Sequence, residues 1–324
     1  MTVTVAVYGA TGTTGALVVS ELERRGLRAR PLRRDHLDVD LAGAGADVVV
    51  NCAGPFSLTR VAVEDAAIRT GVDVVHVCGE PEELTALFAR HSDFVSAGIT
   101  VVGGAGFSST MAELCGWLAI KGLAPPIALE IVHAASASMP SEGSLRSYLE
   151  GVDCVDDDDD VSVIALPAPF GERTVRAVSL AEGVTLQKSL GVQRVSSWMA
   201  VGPPRAAIVR PPAFLRDRAT LQRMLIVRAE RGERGPSPDE RAAMAFAIQA
   251  TASTMTTSSG PGRVVEMAGV DPYGLTAVLA VQAAIDVAAR PKPGARAPLE
   301  ILDATSALSA VARAGVRWTV RPKS

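Results

Sequence analysis

The sequence predicts an α/β fold: a doubly wound parallel sheet with helices on both faces, followed by a second region of mainly antiparallel sheet. Three observations carry this. Short β-branched runs alternate with helical patterns from Val3 to Gly103. A glycine triplet, Gly9, Gly12 and Gly15, stands between the first such run and the first helical pattern. After Leu123 the alternation stops and longer strand-like runs replace it.

The elements follow in order. Val3–Tyr8 is a β-branched run that ends at Gly9 and reads as a buried strand. Ala16–Arg25 places Leu17, Val18 and Leu22 at helical spacing, with Glu21, Glu23, Arg24 and Arg25 on the polar face and Gly26 as its stop. Leu27–Leu32 is a second strand and Val48–Ala53 a third. The stretch between Leu32 and Val48 is too short for a full helix and strand, so an irregular crossover is expected there. Val61–Thr70 is helical and stops at Gly71, Val72–Cys78 is a strand, Pro81–Ala97 a helix and Ile99–Gly103 a strand. Pro125-Pro126 opens the second region, with strand-like runs at Ile127–Ala134, Val161–Leu166, Thr174–Ser179 and Ala206–Val209. The acidic run Asp156–Asp160 repels itself and reads as a solvated loop, and Arg231–Pro238 reads as a loop from its Gly, Pro and charge content. Leu275–Ala289 is strongly helical and is broken by Pro291. No internal repeat is found.

Composition bounds the function. At 324 residues, 48% hydrophobic and 21% charged, the chain is globular, and about 100–200 residues per domain suggests two domains. Aromatics are 4%, so the core is built mainly from Ala, Val and Leu, which argues against a surface that stacks single-stranded nucleic acid. The net charge of −3 offers no global attraction for a polyanion. Cys52, Cys78, Cys115 and Cys154 are scattered, with no Cys-x-x-Cys and no nearby His pair. Neither a metal site nor a disulfide framework is expected; reduced thiols in a cytoplasmic protein are the simplest account. The N-terminus enters directly into a strand pattern, without the profile of a cleaved leader. Apolar runs are interrupted before the ~18–20 residues of a membrane span.

The segment Gly9-Ala10-Thr11-Gly12-Thr13-Thr14-Gly15 follows a strand and opens a helix, the order that a dinucleotide-binding turn requires. Gly9 allows the tight turn, Gly12 lets the backbone approach a pyrophosphate, and Gly15 lets helix and strand pack closely. The N–H groups at the helix start then bind phosphate oxygens. No P-loop lysine is present, which argues against a kinase or ATPase. Arg33-Arg34 ends the second strand, where an acid suits the ribose hydroxyl of NAD and an arginine suits a 2′-phosphate. NADP is therefore expected as cofactor ahead of NAD. Only four of the 32 basic residues are Lys, so arginine is this chain's usual cation, and a solvated pair at a strand end is the competing account. Asp40 is positioned for the adenine amino group. Asn51, Ala53, Gly54, Pro55 and Phe56 lie past the end of the third strand, where ligands sit in open parallel sheets. Cys78, Gly79 and Glu80 end the next strand in the same layer. Glu80 either orients a nicotinamide ribose or caps the helix that begins at Pro81.

With these residues in place the chain resembles the saccharopine dehydrogenase-like oxidoreductases, in particular the branch of trans-acting enoyl reductases. The resemblance rests on Gly9–Gly15, Val48–Phe56 (VVVNCAGPF), Gly71–Glu80 (GVDVVHVCGE), Gly106–Leu114 (GFSSTMAEL), Ser141–Ser147 (SEGSLRS) and Asp271–Ala277 (DPYGLTA), with Leu302–Val320 similar to the family's closing helix and strand. It implies a Rossmann domain over residues 1–118, an inserted substrate or dimerisation domain over 119–268, and a C-terminal return to the Rossmann domain over 269–324. It also implies NAD(P)-dependent reduction or oxidation of C=N or C=C bonds. The chain departs from the family at Ser108, where an acid is usual, at Met111, where a proline is usual, and in its short crossover after Arg34.

Hydride transfer needs a held nicotinamide and a proton donor. His133, at the end of its strand, is a candidate acid, histidine being the usual residue for that role, with a polar strand-end residue as the plainer account. Tyr148, in a helix following Ser144, is a second candidate, with packing as its alternative. Ser108, Ser109 and Thr110 open a helix and either cap it or hold an anionic substrate group or the carboxamide. His76 reads as a core or supporting residue. Met139, Trp198 and Met199 line apolar surface, in the core or in a substrate pocket. The leading expectation is an NADP-dependent oxidoreductase that reduces an enone, enoyl or imine group of a small, largely apolar substrate. The alternatives are a dinucleotide-binding sensor or scaffold without net redox, and a cyclase or isomerase that keeps the fold. The apolar helix Leu275–Ala289 packs within the fold or against a second subunit, so a homodimer is compatible with the sequence.

Overall fold

The computed structural model describes residues 3–32, 37, 41, 43, 45–136, 141–151, 161–202, 223, 227, 235–255 and 262–323. The chain forms two compact units: Met1–Thr110 with Tyr273–Val311, and Met111–Pro272 with Ala312–Ser324.

The first unit is built on a six-stranded, all-parallel sheet. Its strands are β1 (Thr4–Tyr8), β2 (Arg28–Leu32), β3 (Val48–Asn51), β4 (Asp73–His76), β5 (Thr100–Val102) and β12 (Gly294–Arg296). Their order is β12-β5-β4-β3-β1-β2. The residues of β1 and β3 are all buried, as central strands covered on both faces must be. The helices are α1 (Thr13–Arg24), α2 (Phe56–Thr70), α3 (Pro81–Ala89), α4 (His91–Ala97), and the C-terminal α9, α10 and α11 (Pro272–Ala289, Pro298–Ile301, Ala304–Arg313). The core under the sheet joins Ala6, Val49, Val63, Val74, Leu87, Phe94 and Val101, mainly Val, Ala and Leu.

Several elements differ from their sequence reading. α2 begins at Phe56 rather than Val61, because the polar start Ser57–Arg60 is helical and Thr59 turns its hydroxyl back onto the Ala53 carbonyl. The single helix expected over Pro81–Ala97 is two, broken at Arg90 (ψ 12°), whose guanidinium is held by Glu64 and Asp65 of α2. In the short crossover Leu41 is buried in the core and Leu37 packs against it. Helix α9 is long and apolar enough to cross a membrane by length and composition alone. It also carries nine buried residues, and Arg25, the C-cap of α1, bonds to its Val278 carbonyl and Gln282 side chain, as befits a core helix.

The second unit holds a seven-stranded sheet of order β13-β11-β10-β6-β9-β8-β7. The strands are β6 (Ile127–Ala135), β7 (Val161–Leu166), β8 (Gly171–Val178), β9 (Arg194–Gly202), β10 (Ala245–Thr254), β11 (Gly262–Val270) and β13 (Arg317–Pro322). All its pairings are antiparallel except β6 with β9. With it go α6 (Glu142–Gly151), α7 (Glu182–Leu190) and α8 (Pro238–Ala243), and most of α5 (Phe107–Ile120). α8 starts with a capping box of Ser237 and Glu240, immediately after the expected loop. The C-terminal return is divided: β12 joins the first sheet, whereas β13 pairs with β11 in the second. The strand at Ala206–Val209, the acidic run Asp156–Asp160 and Cys154 lie outside the described residues.

Candidate functional site

In the first sheet the strand order reverses at β1, with β2 on one side and β3 on the other. The loops that leave the C-terminal ends of β1 and β3 flank the crevice in which open α/β sheets bind ligands. These loops are Gly9–Gly12 and Cys52–Pro55.

Gly9 has φ +83°, a left-handed conformation that disfavours any side chain. A Cβ there would also lie 2.9 Å from the Ala53 backbone nitrogen, so the two loops touch through the missing side chain. Gly12 donates its N–H to the Gly9 carbonyl (3.0 Å), closing the turn, and then stands as the N-cap of α1. A Cβ on Gly15 would run into the Gly9 carbonyl and come within 2.8 Å of Ala10 Cα. The strand, turn and helix are thus packed backbone on backbone. No side chain caps α1, and its first turn carries no acidic residue. This end is open to an anion in both hydrogen bonding and helix dipole. Thr11 is exposed, and Ala10, Gly12, Thr13 and Thr14 are half-buried along the turn.

The second loop is held from beneath. Asn51 is buried, and its Oδ1 accepts the Ala53 N–H at 2.9 Å. Its Nδ2 meets His76 Nδ1 at 3.1 Å. Because Oδ1 is taken by an N–H, Nδ2 is the donor, and His76 accepts at Nδ1 and carries its proton on Nε2. Burial first, and then the Arg60 charge, push the His76 imidazole down to about 3, so it stays neutral at physiological pH. The Phe56 ring meets His76 edge-on at 6.5 Å. Asn51, Ala53, Phe56 and Cys78 are buried, whereas Gly54, Pro55 and Glu80 are half-buried and Gly79 is exposed.

Below His76 lies an ion network. Arg60 binds Glu64 (2.7 Å) and Glu83 (2.7 Å), and Arg90 binds Glu64 (2.6 Å) and Asp65 (2.6 Å). Glu64 is fully buried, and burial raises its carboxyl above the usual range against the pull of both guanidiniums. Glu64 Oε1 is 3.7 Å from His76 Nε2.

Glu80 occupies the N-cap position of α3, and its carboxylate accepts the Gly79 N–H at 2.8 Å rather than an N–H of the helix. Ser108, Ser109 and Thr110 fall inside the first turn of α5, which begins at Phe107, rather than before it. Thr110 donates to the Gly104 carbonyl at 3.1 Å, Phe107 N–H to Thr276 Oγ1 at 3.1 Å, and the Ser108 hydroxyl faces the open side of Gly79. Burial pushes the Cys52 thiol up to about 12 and raises those of Cys78 and Cys115 further, so none of these free thiols is a nucleophile at neutral pH.

In the second unit His133 lies inside β6 and is buried. Its Nε2 is 2.9 Å from Oε1 of Glu182, a fully buried residue of α7 that the sequence reading did not single out. The 49 positions between them hide the pairing from any local pattern. Tyr148 belongs to α6. Trp198 and Met199 sit on β9, where Trp198 packs against the apolar cluster around Val132 and Phe170. Arg33, Arg34, Asp40 and Met139 lie outside the described residues.

No family model matches the chain. A stretch of 70 residues is 34% identical to the saccharopine dehydrogenase-like oxidoreductase of Mus musculus and 33% identical to that of Homo sapiens. The stretch is 21% of this chain and 16% of the length of either relative. Apo saccharopine dehydrogenase (L-Glu forming) from Saccharomyces cerevisiae superposes with a TM-score of 0.55 at 13% identity, covering 99% of this chain and 100% of the other. The chain therefore has the fold of that dehydrogenase, a Rossmann-like parallel sheet with a second mixed sheet, and over one stretch it is similar in sequence to saccharopine dehydrogenase-like oxidoreductases.

Proposed function

We propose that the protein is an NADP-dependent oxidoreductase that reduces an enone, enoyl or imine group of a small, largely apolar substrate. The observation that carries the reading is the glycine turn. Gly9 and Gly15 stand where a Cβ would strike backbone, and α1 presents an end that no side chain caps. A turn of this kind matches a pyrophosphate in shape and charge. The names of the relatives, a dehydrogenase and oxidoreductases, support the reaction class.

The dinucleotide, when bound, supplies or accepts the hydride. The chain's own residues hold it. The Gly9–Gly15 turn and the α1 N-terminus take the pyrophosphate, and Arg33 and Arg34 take a 2′-phosphate. The loop at Cys52–Phe56 and the rim at Gly79–Glu80 border the crevice beyond. His133, Tyr148 and Ser108 remain the candidate proton donors and substrate contacts in this reading. The free thiols Cys52, Cys78 and Cys115 agree with a reducing, cytoplasmic setting.

Titration of the purified protein with NADPH and NADH, followed by cofactor fluorescence, tests the reading. Saturable NADPH binding at micromolar concentration is expected, and no binding of either cofactor at millimolar concentration overturns it. Replacing Arg33 and Arg34 by Ala should weaken NADPH far more than NADH; equal losses would remove the preference for NADP. Consumption of NADPH with an enone, enoyl thioester or imine panel identifies the acceptor class.

A further inference from the structure

The loop after β3 is fixed from beneath by two side chains. Asn51 and His76 are both fully buried, on adjacent strands paired at that register. Both ends of the Asn51 carboxamide are engaged, Oδ1 by the Ala53 N–H and Nδ2 by His76 Nδ1. The Ala53 backbone in turn occupies the space left by the missing Cβ of Gly9. His76 Nε2 has no hydrogen-bond partner among the described residues; the nearest carboxylate oxygen, on Glu64, is 3.7 Å away. Phe56 and the Arg60–Glu64 pair border the same ring. The imidazole is thus held on one side by packing and charge, and its one strong hydrogen bond points at Asn51.

We infer that Asn51 and His76 are positioning residues for the dinucleotide: His76 orients the Asn51 carboxamide, which sets the Ala53 backbone against the Gly9 turn. The inference rests on the dinucleotide reading above. It assigns the acceptor nitrogen of His76, rather than its bulk, as the property that matters. An asparagine at position 76 presents an oxygen near the place of Nδ1, whereas a leucine fills the space and presents none.

The experiment uses the whole chain and compares His76→Asn with His76→Leu. Two readouts are taken: the NADPH dissociation constant, and amide hydrogen exchange of the segment Cys52–Phe56 in the cofactor-free protein. His76→Leu is expected to weaken NADPH about tenfold, the equivalent of one lost hydrogen bond, and to speed exchange at Ala53. His76→Asn is expected to keep both near the wild-type values, even where both variants melt at similarly reduced temperatures. Asn51→Ala should reproduce the leucine variant. If the Asn and Leu variants are equally impaired, or if neither differs from wild type in binding and exchange, the inference falls and the dinucleotide reading stands. If the wild-type protein binds neither NADPH nor NADH, both fall together.

Discussion

His133 and Glu182 form a buried pair, with Nε2 2.9 Å from Oε1, that joins β6 to α7 in the second unit. The Glu182 side chain is fully buried, and its other oxygen has no partner among the described residues. Removing one member of such a pair strands the other, which typically costs about 3–5 kcal/mol. Glu182→Ala and His133→Ala should each lower stability on that scale in urea unfolding. The double variant should lose clearly less than the sum. Strict additivity would show that the two groups do not depend on each other.

The Gly9–Gly15 contact predicts a loss of both stability and binding. Gly15→Ala forces a methyl group into the Gly9 and Ala10 backbone, atoms that cannot move aside as a flexible side chain can. Overpacking costs about 1–3 kcal/mol when side chains yield, and backbone yields less. A lowered melting temperature and an NADPH affinity reduced by more than tenfold are expected. Gly26→Ala is the control. Its φ is positive, unlike that of Gly15, and a Cβ there meets nothing within 4 Å, so it should cost folding strain without the loss of binding.

These two sites differ in how far the sequence announces them. The glycine triplet is legible because the constraint is local: one turn, one strand end and one helix start within seven consecutive residues. The fully buried strands β1 and β3 are legible for the same reason, as short runs rich in β-branched residues. Strands β10 and β11 are not. β10 reads AFAIQATAST, rich in Ala and Thr and buried on both faces along most of its length, so neither β-branched density nor alternation marks it. The pairings of His133 with Glu182, and of Asn51 with His76, span 49 and 25 positions and exist only once the sheets have formed. The placement of β13 beside β11 is likewise a product of long-range registry. The break at Arg90 comes from its ties to Glu64 and Asp65, which apolar periodicity does not contain.

His76 makes stability depend on pH. Its folded pKa of about 3 lies below the ordinary imidazole value of 6.5 that holds in the unfolded chain. Below 6.5 the unfolded state therefore binds more protons than the folded state, and falling pH favours unfolding. The contribution is complete above pH 6.5 and is lost as pH falls from there toward 3. The slope from this one group reaches about 1.4 kcal/mol per pH unit in that window. The raised carboxyl of Glu64 acts in the opposite sense, since its folded form takes up a proton more readily than the unfolded one. Urea unfolding of wild type and His76→Asn between pH 7 and 4 separates the two. The variant should show a shallower loss on acidification, and parallel curves would mean that His76 is protonated within the fold.

The Glu64 network is asymmetric. Glu64 is fully buried and faces two guanidiniums, Arg60 and Arg90. Arg60 keeps Glu83 if Glu64 is lost, and Arg90 keeps Asp65 and Asp93. Glu64→Leu therefore leaves two cations that each retain an acidic partner. Arg60→Leu instead leaves Glu64 to Arg90 alone, and it strips the charge that helps hold His76 neutral. Arg60 is itself nearly buried, so its replacement by an apolar residue does not expose a cavity to solvent. The expected order is that the double variant Arg60→Leu with Glu64→Leu loses less stability than the two single losses summed. The coupling should exceed about 1 kcal/mol, as for buried partners in one network. Since the network lies beneath His76, the same variants should also raise hydrogen exchange at Cys52–Phe56. Unchanged exchange there, with stability reduced, would confine the network to holding α2 against α3.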